Sequence, residues 1–288
     1  VTGSYLERLA SRTAATGTVL CLGLDPDPDA LPDGFRRDLA GVERFATLLL
    51  EAALPACAAV KPNLAFFEAF GSAGLAALER LRATIPTDVP VIADAKRGDI
   101  GSTAARQAVA LFEVLGADAV TVSPYLGADA VAPLLERADR FAYVLCRTSN
   151  PGAGEVQDLA LAASAGGGAP AERLHERIAR LAAGWGPGGT VGLVVGATAP
   201  RELATIRSIA PGLPFLVPGV GAQGGAIEPV LRHAPASAAP GSSGIGRGLL
   251  VNVSRGIAGA GSEPGAGDPL ERVAAAAAEW AARLPVLP

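Results

Sequence analysis

Lysine, histidine and cysteine are scarce in this chain, and each shortage excludes something. Of its 24 basic residues only Lys61 and Lys96 are lysines; the rest are arginines. His175 and His233 are the only histidines, and neither has a Cys, His or carboxylate at metal-ligand spacing, so no metal site is assigned. Cys21, Cys57 and Cys146 are odd in number, widely spaced and set in apolar stretches, which argues for buried thiols and against a disulfide framework. No run approaches about 18 uninterrupted apolar residues, and the opening VTGSYLERLASR carries charge where a signal peptide has its apolar segment. A soluble, cytoplasmic protein without membrane contact is expected. A net charge of −4 and the lack of a Lys/Arg-rich run give no electrostatic case for nucleic acid.

What is present is a large potential core. Half of the 288 residues are hydrophobic and 18% are charged. Eight short apolar runs alternate with helical patterns: 18–25, 57–63, 89–96, 118–124, 141–148, 190–198, 214–220 and 248–253. Helices are expected over 37–53, 72–83, 102–115, 129–138, 170–183, 200–209 and 269–283, the last capped by Asp268-Pro269. This order predicts parallel strands joined by right-handed crossovers. The fold class is therefore α/β, a single (β/α)8 barrel domain, for which about 250 residues is usual. A doubly wound sheet would want a Gly-rich phosphate loop after the first strand, but DPDPD stands there. The Gly/Ala/Ser-rich stretches near 150–169, 236–248 and 256–267 read as surface loop insertions.

In such barrels the reacting groups stand at the carboxyl ends of the strands. Those ends carry Asp25, Lys61 with Asn63, Asp94 with Lys96, Ser123, Thr148 with Ser149, Gly196 with Thr198, Pro218 through Gln223, and Ser254 with Arg255. Three successive strands end in charge and use both lysines. Alternation puts Asp94 and Lys96 on one side of their strand. Asp99 lies beyond the strand, so its partner is expected from elsewhere. A chain that otherwise chooses arginine keeps lysine where a compact ammonium must give up a proton. The competing reading is a network of ion pairs sealing the barrel mouth. Late in the chain, PGVGAQGG (218–225) offers backbone N–H groups to an anion, and Arg255 in NVSRG offers a fork for phosphate oxygens. Arg247 precedes its strand and is expected on the opposite rim.

GLDPD (23–27), VKPNLAFFE (60–68), DAKRGDIGST (94–103), TSNPGAGEVQ (148–157), PGVGAQGG and NVSRG, in this order, resemble the orotidine 5′-phosphate decarboxylase family, with insertions like those of its larger bacterial branch. The resemblance implies cofactor-independent decarboxylation of orotidine 5′-monophosphate to uridine 5′-monophosphate. It assigns Lys61, Asp94, Lys96 and Asp99 to an alternating charged tetrad, with Lys96 stabilising and protonating the carbanion at ring carbon 6. Asp25 and Lys61 would hold the ribose hydroxyls, Ser149 the pyrimidine amide edge, and Gln223 and Arg255 the phosphate beside Pro218. It further implies a homodimer in which Asp99, Ile100 and Thr103 reach into the partner's site. Two alternatives remain at this point. One is a sugar-phosphate decarboxylase or aldolase of the same barrel type, with a Schiff-base role for Lys96, although Lys61-Pro62-Asn63 stands where a metal carboxylate would be needed. The other is a catalytically silent nucleotide-binding barrel.

Overall fold

The computed structural model describes residues 3–162, 171–237, 245–262 and 267–287. Eight strands form the barrel: β1 (Leu20–Leu24), β2 (Ala59–Pro62), β3 (Ile92–Arg97), β4 (Ala119–Val122), β5 (Phe141–Arg147), β6 (Val191–Val195), β7 (Phe215–Val217) and β8 (Leu250–Val253). They hydrogen-bond in the order β2-β1-β8-β7-β6-β5-β4-β3, every neighbouring pair parallel. Parallel bridges Val60–Val91 and Asn63–Asp94 join β3 back to β2 and close the ring.

Two sets of apolar side chains follow from the two-residue period of the strands. Outward-facing Leu22, Val60, Val120, Val144, Leu193 and Val251 pack beneath the helices, which bury their own apolar stripes on them. The longest of these helices are Leu39–Ala53, Gly71–Thr84, Pro200–Ile209 and Pro269–Arg283. Inward-facing Cys21, Ala59, Ile92, Ala119, Phe141, Tyr143, Leu216 and Leu250 fill the lower half of the barrel. Gly192 on β6 is dictated by this filling, because a Cβ there would lie 2.8 Å from the Phe141 ring and 2.6 Å from the Pro214 carbonyl. All three cysteines are buried and free, and burial pushes the Cys21 thiol up to about 12.

The amino-terminal end of the barrel is closed by a helix, Tyr5–Thr16, that the sequence reading did not include. Ser4 caps it in a reciprocal capping box with Glu7, and Gly17 ends it at a φ of 68°. Its Tyr5, Leu6 and Leu9 enter the barrel, where Tyr5 stacks on Phe141 at 4.7 Å and shares a 3.1 Å hydroxyl hydrogen bond with Tyr143.

Other differences have local causes. The expected helix over 102–115 is α-helical from Gly101 to Ala108 and continues as a π-helical turn, Val109–Val114. The helix expected over 129–138 shrinks to Ala132–Leu135, since Pro133 fits only a first turn. A short helix, Ile227–His233, unforeseen in the sequence, connects β7 to β8. Of the three expected insertions, residues 163–170, 238–244 and 263–266 lie outside the described residues. The first is flanked by a two-stranded antiparallel pair, Ala160–Leu161 with Glu172–Arg173. The third begins as a packed helical turn, Arg255–Ala258, whose Ile257 is fully buried, so it is not wholly a surface excursion. Among the described residues no helix is long and apolar enough to cross a membrane.

Candidate active site

Moving up the barrel, the inward positions change from apolar to polar strand by strand. Cys21 is followed by Gly23 and Asp25, Ala59 by Lys61 and Asn63, Ile92 by Asp94, Ala119 by Thr121, and Leu250 by Asn252. The polar layer borders a cavity of about 460 Å³ at the carboxyl ends of the strands. Asp25, Lys61, Asp94, Lys96, Ser149, Pro218 and Gln223, all expected at the site, line it.

Asp94 is the hub. Its Oδ2 accepts a hydrogen bond from Lys61 Nζ at 2.7 Å, and its Oδ1 accepts one from Lys96 Nζ at 2.7 Å. Thr121 Oγ1 donates to the same Oδ1 at 2.8 Å and accepts from the Lys96 backbone N–H at 3.0 Å. Burial alone would push the Asp94 carboxyl up, but the two ammonium groups, Lys61 before Lys96, outweigh it and hold the acid well below the usual carboxylate range. Burial likewise opposes charge on Lys61, yet Asp94 and then Asp25 keep its ammonium above the ordinary lysine range. Asp94 and Lys61 are therefore both charged at neutral pH.

Lys96 differs from Lys61 in two respects. Its side chain is 51% exposed against 6% for Lys61, so its ammonium sits in the opening with N–H groups to spare. It also has a φ of 47°, one of two positive values at non-glycine positions among the described residues. The ladder between β3 and β4 shifts register between Ala93 and Arg97 at this point. Lys96 and Asp94 do share the cavity, as alternation predicts, but Lys96 reaches it through a left-handed residue at an irregular strand end. Such a conformation costs on the order of 1 kcal/mol or more and persists where the surroundings fix it; here the Thr121 hydroxyl and the Asp94 carboxylate do so.

Elsewhere in the cavity wall, Asp25 Oδ1 and Asn252 Oδ1 are buried acceptors with no protein donor. Both suit a ligand hydroxyl or N–H. Gly196 and Gly219 flank Ser149 so closely that a Cβ at either would stand within 2.9 Å of it. An adjoining cavity of about 370 Å³ shares Asp25, Asn63 and Gln223 with the first and adds Ser254 and Arg255. Arg247 sits at the other rim, where its neighbour Gly246 meets Thr13 and the Leu287 carbonyl.

Asp99, Ile100 and Thr103 are not among the residues lining this cavity. Asp99 turns back to accept from the Ile100 N–H at 2.7 Å, Ile100 is 62% exposed, and Thr103 borders an outer groove with Leu75 and Val114. Sequence reasoning missed Thr121, Asn252 and the role of Gln157 in the wall. Thr121 had a readable signal: it lies two residues before Ser123, so it faces the same side one layer deeper.

Comparison with known proteins agrees with this geometry. Residues 18–267 match the model of the orotidine 5′-phosphate decarboxylase / HUMPS family. An orotidine 5′-phosphate decarboxylase of Herpetosiphon aurantiacus is 46% identical over 254 residues, covering 88% of each chain. One from Halorubrum lacusprofundi is 45% identical over 282 residues, 98% of this chain and 97% of the other. The solved structure of Leishmania donovani OMP decarboxylase superposes with a TM-score of 0.79 at 38% identity, covering 97% of both chains. With a TIM barrel built as described and sequence identity at this level over nearly its whole length, the chain belongs to the orotidine 5′-phosphate decarboxylase / HUMPS family.

Proposed function

We propose that this family member acts as a carboxy-lyase in pyrimidine biosynthesis, converting orotidine 5′-monophosphate to uridine 5′-monophosphate with Lys96 as the cation and proton donor. The observation that carries the reading is the Lys96 ammonium, held 2.7 Å from Asp94 at the mouth of a cavity sized for a nucleotide. When the bond from ring carbon 6 to the carboxylate breaks, the electron pair stays on that carbon and carbon dioxide leaves. The ring delocalises this pair poorly, so a fixed positive charge beside it acts mainly on the transition state. Lys96 then gives its proton to carbon 6 and regains one from water. Arginine holds its proton too tightly for that step. Asp94 and Lys61 keep the ammonium in place, and since Lys96 supplies both charge and proton, the scheme calls on no cofactor.

The remaining contacts follow the same layout. Asp25 and Lys61 face the ribose hydroxyls, Ser149 faces the amide edge of the pyrimidine, and Gln223 and Arg255 hold the phosphate in the adjoining cavity with N–H groups of the 218–225 loop. In a homodimer, Asp99, Ile100 and Thr103 complete the partner's cavity. Their position outside the chain's own cavity supports this, as do the exposed Leu75 and Val114 in the groove that Thr103 borders.

Adding orotidine 5′-monophosphate and following the loss of its ultraviolet absorbance tests the reaction. Turnover should survive a chelator and fall by at least about 10⁴-fold in Lys96→Ala, where charge and proton donor vanish together. Abolition by the chelator, or undiminished turnover in the variant, overturns the assignment. For the shared site, mixing inactive Lys96→Ala and Asp99→Ala homodimers should restore activity as subunits exchange. No recovery despite verified exchange would remove the partner's contribution.

A further inference from the structure

The loop after β5 brings Ser149 to the cavity just past an irregularity, where the β5–β6 ladder shifts register between Leu145 and Arg147. The segment that follows adds a second anchor. Gln157 ends the short helix Ala153–Gln157, and its side-chain amide is spent on the residue before Ser149: Oε1 accepts from the Thr148 backbone N–H at 2.8 Å, and Nε2 donates to Thr148 Oγ1 at 2.8 Å. Arg147 reinforces the same point. Its guanidinium forks onto Asp158 at 2.9 and 3.0 Å and donates to the Thr148 carbonyl at 2.7 Å.

Behind Gln157 stands a histidine with no place in the chemistry above. His175, 1% exposed on the helix Leu174–Ala182, points Nδ1 at the Gln157 carbonyl, 2.9 Å away, and at Asp158 Oδ1, 3.2 Å away. Both neighbours are acceptors, so Nδ1 carries the proton and the ring donates. Backbone and side chain of Gln157 are thus anchored from opposite sides, one by a buried histidine and the other by the loop it holds.

We infer that Gln157 is a positioning residue that sets Ser149 against the amide edge of the pyrimidine, with His175 fixing Gln157 from behind. This rests on the reading that Ser149 meets that edge. Gln157 lines the cavity but has both amide atoms engaged by Thr148, so it acts through the loop and not on the nucleotide. Gly196 and Gly219 leave Ser149 a closely fitted slot. A loop free to shift by even about 1 Å would lose alignment with a planar ring edge.

The test compares uridine and cytidine 5′-monophosphates as competitive inhibitors of the full-length enzyme. The two share ribose and phosphate and differ in the amide edge, where a carbonyl and an N–H are exchanged for an amine and a bare nitrogen. In Gln157→Leu the preference for the uridine nucleotide should fall at least about tenfold, the scale of a misaligned specificity contact. Gln157→Glu, which keeps an acceptor for the Thr148 N–H, should restore part of it, and thermal midpoints check folding. If the leucine variant does not fold, Gln157→Ala removes the amide without adding apolar bulk. Equal weakening of both nucleotides, or an unchanged preference, overturns the role of Gln157. A wild-type enzyme that turns over its substrate yet shows no preference overturns the reading of Ser149, and this inference with it.

Discussion

Asp94 and Asp118 are both carboxylates ringed by cations in the same barrel, one at each end. Asp94 stands at the carboxyl rim with Lys61 and Lys96, its side chain 12% exposed. Asp118, 6% exposed, precedes β4 at the amino rim. Its Oδ1 accepts from Arg8 at 2.5 Å and Arg140 at 3.4 Å, its Oδ2 takes the Val91 backbone N–H at 2.9 Å, and Arg82 approaches to 3.9 Å. The difference lies in the cation. Three guanidinium groups from the first helix, the Gly71–Thr84 helix and the approach to β5 fasten those elements together and keep their protons. Of the two ammonium groups around Asp94, Lys96 faces an open cavity, where the proposed function needs a proton donor. A ring of charge fastens elements together at one end of this barrel and borders an open cavity at the other, and residue type separates the two.

Exchanging the cation breaks the contrast most sharply. Lys96→Arg retains charge beside Asp94 but not a releasable proton, so kcat should drop at least about 10³-fold with the fold intact; single-turnover absorbance decay reads it. At the other rim, Asp118→Asn leaves three arginines without their counter-charge and should cost about 3 kcal/mol of stability, seen as a lower urea midpoint. Its kcat per folded molecule should match the parent. Smallest is Thr121→Val, which keeps the volume and deletes the hydroxyl bridging Asp94 and the Lys96 backbone. About a tenfold loss in kcat with little change in KM is expected, and Thr121→Ser should recover most of it.

The barrel and most of its polar rim could be read from the chain because period-two alternation and strand-end position are local properties. Lys61, Asp94 and Ser149 lie where those rules put them. The first helix was legible too, in the Ser4-to-Glu7 spacing of a capping box, but the charged opening drew attention only as a poor signal peptide. Ile227–His233 was harder, since Pro229 in so short a segment reads as a loop. Lys96 shows where alternation ends: its place depends on a left-handed backbone that Thr121, from another strand, holds in place. The clamp from His175 through Gln157 to Thr148 joins residues whose pairing no local pattern announces.

The aromatic stopper formed by Tyr5, Phe141 and Tyr143 has its own consequence. It closes the binding chamber from below, so its opening lies at the carboxyl ends of the strands. A neutral gas released beside a nucleotide there has packed aromatic rings beneath it, so its way out runs toward the same rim that admits the nucleotide.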